Sequence, residues 1–200
     1  MSSALYGSAL YGLVLAGGQS RRMGRDKALL IRDGQSQLRH IASLVDSVTE
    51  KFYVSARADQ KDDPERSQFE TIVDRYDDMG PIAGVLSAMD EYPAVDWLVI
   101  ACDLPNIDAA TLQFLIERRS AEQPFTAYRS SHDGLPEPLC AIYASGSDKR
   151  IREFVADGMV CPRKMLINSD TKLLEQPNPV ALDNINTPDD LAASVLGAVS

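Results

Sequence analysis

Short apolar runs and amphipathic stretches alternate along the first half of this chain, and few architectures accept that order. Residues 13–16, 52–56, 71–73 and 97–101 are short, β-rich and bounded by polar residues, so they read as buried strands. Between them, Leu38, Ile41, Ala42, Val45 and Val48 recur at helical spacing. So do Ile82, Val85, Leu86 and Met89, and then Leu112, Leu115 and Ile116. Strand-helix alternation predicts a three-layer α/β/α fold: a mostly parallel sheet with helices on both faces. The second half is less regular. Residues 125–129 and 138–143 read as strands with Asp133-Gly134 turning between them, which adds an antiparallel part. Thr187, Pro188, Asp189 and Asp190 read as a helix start, with the last helix running to about residue 199.

The chain has 200 residues, 44% hydrophobic and 24% charged, as expected of one folded domain. The repeated Ser-Ala-Leu-Tyr-Gly at residues 3–7 and 8–12 is too short to be a stacking unit, and residues 1–10 are expected to form a flexible leader. Cys102, Cys140 and Cys161 are odd in number and lack CxxC spacing, which suits reduced thiols. His40 and His132 form no zinc pattern. No run reaches the roughly 18 apolar residues of a membrane span, and the start is not basic as a signal peptide's is. A cytoplasmic protein is therefore expected. A net charge of −9 argues against nucleic-acid or anionic-membrane binding but leaves room for a local anion site.

Such a site is suggested by residues 13–30, LVLAGGQSRRMGRDKALL, just behind the first expected strand. In open α/β sheets, ligands bind at the carboxyl ends of the strands. Gly17 and Gly18 allow backbone amides to approach an anion, and Arg21, Arg22, Arg25 and Lys27 add positive charge. The stretch matches neither GxGxxG nor GxxxxGK[ST]. By glycine and charge alone it reads equally as a solvated surface loop.

Asp74 follows TIV and Asp103 follows WLVIAC, so both leave expected strands on the same sheet edge as the glycines. A carboxylate opposite a phosphate cradle suits Mg²⁺, which takes one or two carboxylates plus substrate phosphates. Each aspartate also reads as a turn or helix cap, and Asp108 reads as the cap of the following helix.

LAGGQSRRMGRDKALL resembles the LAGGxSxRMGxDKxLL signature of nucleotidyltransferases with the nucleotide-diphospho-sugar transferase (Rossmann-like) fold, and specifically the molybdenum cofactor guanylyltransferases. VDRYDDMGPIAGVLSAM, VIACDLPNI and DNINTPDDL resemble further segments of that family, in order along nearly the whole chain. The resemblance implies that Leu15, Ala16, Gly17 and Gly18 contact the nucleotide and that Arg22 and Lys27 hold its phosphates. It places Gly80 and Pro81 by the guanine, Asp74 near the nucleoside, Asp103 on Mg²⁺, and Asn184 and Asn186 on the pterin side. Lys27 and Asp103 thereby also bind nucleotide, and Arg22, Lys27 and Asp103 are the expected catalytic set.

This chain departs from the family in two places. Ser55 stands at a nucleotide-binding position that is often asparagine, and Glu137-Pro138 stands where His-Pro is frequent. The implied reaction joins GMP from GTP to the terminal phosphate of molybdopterin, or its molybdenum form, and releases pyrophosphate. It needs positioning and charge neutralisation but no protein nucleophile. Implied partners are a molybdenum-insertion protein and apo-molybdoenzymes. A cytidylyltransferase or another nucleotidyltransferase of the same fold, and a non-catalytic nucleotide-binding subunit of cofactor delivery, are the competing readings.

Overall fold

The computed structural model describes residues 8–18, 26–32, 34–60 and 62–184. Its strands are β1 (Leu10–Leu15), β2 (Ile31–Arg32), β3 (Gln35–Ser36), β4 (Lys51–Ala56), β5 (Thr71–Val73), β6 (Asp96–Ala101), β7 (Phe125–Arg129), β8 (Pro136–Tyr143) and β9 (Thr171–Leu174). Its helices are α1 (Gln37–Asp46), α2 (Pro81–Glu91), α3 (Ala109–Glu117), α4 (Asp148–Ala156) and α5 (Pro162–Ile167). The expected last helix lies outside the described residues, as do residues 1–7 of the expected leader.

A seven-stranded sheet has the order β5-β4-β1-β6-β8-β7-β9, and β2 and β3 form a separate ribbon. The strands β5, β4, β1 and β6 pair in parallel, while β8 runs antiparallel to both β6 and β7. Alternate residues of the central strands serve different cores. Val14, Leu98, Ile100 and Ile142 pack with α1 and α3, whereas Leu13, Trp97, Val99 and Ala141 pack with α2, α4 and α5. Burial on both faces is why β6, buried at every position, reads as a continuous apolar run.

Strand β1 begins at Leu10, earlier than its apolar run suggests, because Tyr11 and Gly12 already pair with β4 and β6. Gly12 is there for packing, since a Cβ would overlap the Val45 side chain of α1. The β7–β8 connection is wider than a two-residue turn. Ser130 N donates to the Leu135 carbonyl at 2.8 Å, and Gly134 takes φ 71° inside that loop. Asp108 caps α3 as expected, accepting from Thr111 N at 2.7 Å. No helix among the described residues is long and apolar enough to cross a membrane.

Candidate functional site

Because β5, β4, β1 and β6 are parallel, their carboxyl ends open on one edge of the sheet. The ladder continues past the strand ends: Ala16 N donates to Ser55 O at 3.1 Å, Cys102 N to Leu15 O at 3.2 Å, and Asp74 N to Ala56 O at 2.9 Å. Backbone pairing therefore brings together segments that are far apart in sequence.

Two adjoining hollows occupy this edge. The wider, of about 750 Å³, is lined by Leu15, Gly17, Gly18, Ser55, Asp74, Gly80 and Pro81, together with Arg57, Asp59, Tyr76, Asp77 and Asp78. A smaller one of about 200 Å³ shares Leu15, Gly18 and Pro81 and adds Ala16, Asp26, Lys27, Cys102, Asp103 and Leu139. The described residues expected to bind nucleotide thus line one continuous cleft. Asn184 is exposed and lines neither hollow, while Arg22 and Asn186 lie outside the described residues.

In the smaller hollow, Lys27 Nζ stands 3.1 Å from Asp103 Oδ2, with both side chains partly open to solvent. Lys27 opens a 3₁₀ turn capped by Asp26, whose Oδ1 accepts from Ala28 N at 3.0 Å. In the wider hollow, the Ser55 hydroxyl donates to Asp74 Oδ1 at 2.7 Å. Burial pushes the Asp74 carboxyl above the ordinary carboxylate range, against the pull of the Ser55 bond and the Arg57 charge. Gly84 is required beside it, because a Cβ there would run into the Ser55 hydroxyl. Gly80, with φ 54°, turns the chain into α2, and Pro81 occupies the first turn of that helix.

Two arginines of the site carry no signal in the sequence. Arg57 donates to the Gly17 carbonyl at 2.6 Å, and Arg66, almost wholly buried, donates to the Ala16 carbonyl at 2.8 Å and to Asp26 at 2.6 Å. Neither belongs to a motif, and Arg66 sits in a polar stretch with no periodicity. Glu137 is not bare either: Arg163 pairs with it at 2.8 Å and with Asp133 at 2.9 Å. Glu137 lies on β8 two residues before Leu139, which lines the smaller hollow.

Chemically, the cleft offers no activated nucleophile. Burial, helped by the neighbouring Asp103 carboxylate, pushes the Cys102 thiol up to about 12, so it is not a thiolate near neutral pH. The described residues contain no group of three or more His, Cys, Asp or Glu able to hold a metal by themselves. What Asp103 offers is a single carboxylate beside a cavity, which suits a cation that takes its other ligands from substrate phosphates.

A family model described as a MobA-like NTP transferase domain matches residues 12–172. A "molybdenum cofactor biosynthesis bifunctional protein" of Synechocystis is 38% identical over 181 residues, 90% of this chain, and the chain spans 52% of that relative's length. A "probable molybdenum cofactor guanylyltransferase" of Mycobacterium ulcerans is 33% identical over 192 residues, 94% of each chain. Among solved structures, molybdopterin-guanine dinucleotide biosynthesis protein A of Archaeoglobus fulgidus superposes with a TM-score of 0.77 at 22% identity, covering 94% of this chain and 98% of its own. A CMP:2-keto-3-deoxy-manno-octonic acid synthetase complexed with CTP superposes at 0.72 with 16% identity, covering 96% and 98%. At those identities the superpositions establish a shared nucleotidyltransferase fold.

Proposed function

We propose, on the premise that the chain belongs to the family of MobA-like NTP transferase domains, that it transfers GMP from GTP to the terminal phosphate of molybdopterin or its molybdenum form and releases pyrophosphate. One observation carries the reading: Gly17 and Gly18, the Lys27–Asp103 pair and the Ser55–Asp74 pair meet in one cleft, in a chain whose relatives are named for guanylyl transfer.

In this reaction an oxygen of the acceptor's phosphate attacks the α-phosphorus. The new P–O bond forms as the bond to the bridging oxygen breaks, and that electron pair leaves with pyrophosphate. A phosphate monoester has a second pKa near ~6, so the acceptor arrives largely dianionic and needs no strong base. The chain's task is to bring two polyanions into line.

Leu15, Ala16, Gly17 and Gly18 are assigned to the nucleotide, Lys27 to its phosphates, and Gly80 and Pro81 to the base. Asp74, held by Ser55, is assigned to donors of the nucleoside. Asn184 is assigned to the acceptor, and Arg22 and Asn186 keep the roles that the resemblance implies. Mg²⁺ is the fitting metal, with Asp103 holding it and substrate phosphates completing its shell. Bound there, it would draw charge from the α-phosphate. Lys27, paired with Asp103, brings its ammonium to the same end of the cleft. A cytoplasmic setting, an insertion protein upstream and apo-molybdoenzymes downstream belong to the same proposal.

The test is a thermal-shift panel of GTP, CTP, ATP and UTP with and without Mg²⁺, followed by pyrophosphate release with molybdopterin. A ligand at 100 times its Kd stabilises the native state by about 2.7 kcal/mol, a shift of several degrees for a chain this long. A shift selective for GTP and enlarged by Mg²⁺ is expected. Preference for CTP transfers the reading to cytidylyl transfer, and no shift with any nucleotide overturns it.

A further inference from the structure

Two arginines from outside the glycine loop fix the direction of its backbone. Arg66 lies on a 3₁₀ turn between β4 and β5 and is 1% exposed. Its Nε and Nη2 donate to the Ala16 carbonyl at 3.2 and 2.8 Å, and Nη2 also donates to Asp26 Oδ2 at 2.6 Å. Its Nη1 pairs with Asp63 Oδ1 at 3.3 Å. Arg57, just past β4, donates from Nη1 to the Gly17 carbonyl at 2.6 Å, and its other nitrogens hold the Asp59 carboxylate at 2.9 and 2.8 Å.

A trans peptide sets each N–H opposite the carbonyl of the residue before it, and the described residues contain no cis peptide. With the Ala16 carbonyl held by Arg66, the Gly17 N–H must point away from Arg66. With the Gly17 carbonyl held by Arg57, the Gly18 N–H must point away from Arg57. Neither N–H has an acceptor among the described residues, and both glycines line the cleft. Backbone N–H groups left without an acceptor beside a cleft can each donate a charge-assisted bond to an anion that enters it. Arg66 does a second thing: it grips Asp26, whose other oxygen caps the turn that carries Lys27. One buried guanidinium therefore sets both an amide and the ammonium beside it.

We infer that Arg66 and Arg57 are positioning residues for a polyphosphate, aiming the Gly17 and Gly18 amides and, through Asp26, the Lys27 side chain. The inference deepens the guanylyl-transfer reading and rests on it for the identity of the ligand, but its geometry concerns any chain of phosphates. A guanidinium is the side chain that suits the task, because its fork of donors reaches a carbonyl and a carboxylate together.

The experiment titrates ¹⁵N-labelled protein with inorganic tripolyphosphate, which has no base to recognise, and follows the Gly17, Gly18 and Ala28 amides by NMR. In the unmodified chain the two glycine amides should move downfield in the proton dimension on binding. Arg66→Met should abolish the Gly17 response, and Arg57→Met the Gly18 response, each weakening tripolyphosphate by about tenfold, as expected for a charge-assisted bond. Arg66→Lys should restore only part of the Gly17 response. A structural role alone would lower Tm while leaving the affinity and amide responses of the folded fraction unchanged, and that result overturns the inference.

Should Arg66→Met fail to fold, Arg57→Met decides the matter through Gly18, since its side chain is 30% exposed and tolerates replacement. Glycine amides that ignore tripolyphosphate in the unmodified chain sink the inference even if GMP transfer is measured. Amides that respond as described, with no nucleotidyl product from any nucleotide, sustain it while removing the guanylyl reading.

Discussion

Gly84→Ala should damage the cleft from beneath. A Cβ at Gly84 would meet Ser55 Oγ well inside 3.0 Å, with Leu15 Cδ2 at 3.0 Å and Ser55 Cβ at 3.1 Å. Two responses are available. The Ser55 hydroxyl can rotate away, which breaks its 2.7 Å bond to Asp74, a bond to a charged group worth about 1.5–3 kcal/mol. Alternatively, α2 can move off β4, and overpacking of that kind costs about 1–3 kcal/mol. Rotation leaves the Leu15 and Ser55 Cβ contacts tight, so neither route relieves the strain fully, and a loss of about 2–3 kcal/mol is expected at neutral pH.

Urea unfolding measures the loss directly, and Tm should fall by about 4–12 °C in a chain of this length. If rotation dominates, the Asp74 carboxyl loses a bond that favours its charged form and titrates still higher, which carboxyl-detected NMR would record. Ser55→Gly removes both crowded serine atoms, so Gly84→Ala should cost at least 1 kcal/mol less in that background, a coupling typical of residues in contact. A Gly84→Ala variant within about 0.5 kcal/mol of the parent, with no coupling to Ser55, would refute the reasoning.

Three further outcomes can be checked. Lys27→Ala and Asp103→Ala should each reduce turnover by about 10- to 150-fold, the loss of one charge-assisted contact, and near-parental turnover in either removes that residue from the machinery. Because burial raises the Asp74 pKa, nucleotide affinity should weaken as pH falls through a value above the ordinary carboxylate range. The sign follows from the carboxylate being the acceptor: protonation removes it, and Asp74→Asn should flatten that limb of the affinity profile. Arg163→Ala leaves Glu137 uncompensated beside the cleft, so KM for the phosphorylated acceptor should rise, and adding Glu137→Ala should restore much of it. An unchanged KM in the single variant refutes the placement of that pair next to the acceptor.

The parallel half of the fold is legible because its residues obey two periods at once. Leu98 and Ile100 face one core while Trp97 and Val99 face the other, so β6 has no polar face to confuse the reading. Strand β9 is the opposite case. Every residue of Thr171–Leu174 is half-buried at the sheet's edge, and no apolar run marks it. Helix α4 keeps only Ile151 and Phe154 fully buried within a charged sequence, and α5 has only 6 residues, too short for a period to emerge. The site divides in the same way. Gly17, Gly18, Lys27, Asp74 and Asp103 announce themselves by following strands, whereas Arg57 and Arg66 act across 40 and 50 residues of sequence on backbone carbonyls, which have no side-chain identity to pair with. Only the fold connects them.

An acidic chain gains something from its carboxylates at this cleft. Asp59, Asp74, Asp77 and Asp78 line the wide hollow, where the guanidinium of Arg57 is already paired with Asp59. In the narrow hollow each carboxylate has a cation of its own, Asp103 with Lys27 and Asp26 with Arg66. Like charges about 8 Å apart at an effective dielectric constant of about 20 repel by about 2 kcal/mol, so a polyphosphate running past the Gly17 and Gly18 amides toward Asp59, Asp77 and Asp78 would be opposed by several such terms. On the proposed assignment the base and ribose, which carry N–H and O–H donors and no charge, would meet acceptors there. A nucleotide entering the wrong way round would then place its charge against carboxylates and its donors against Lys27, and both ends would lose. The net charge of −9 and a phosphate site are not in conflict: the carboxylates of the narrow end are each balanced by a cation, whereas Asp77 and Asp78 add negative charge to the wide hollow.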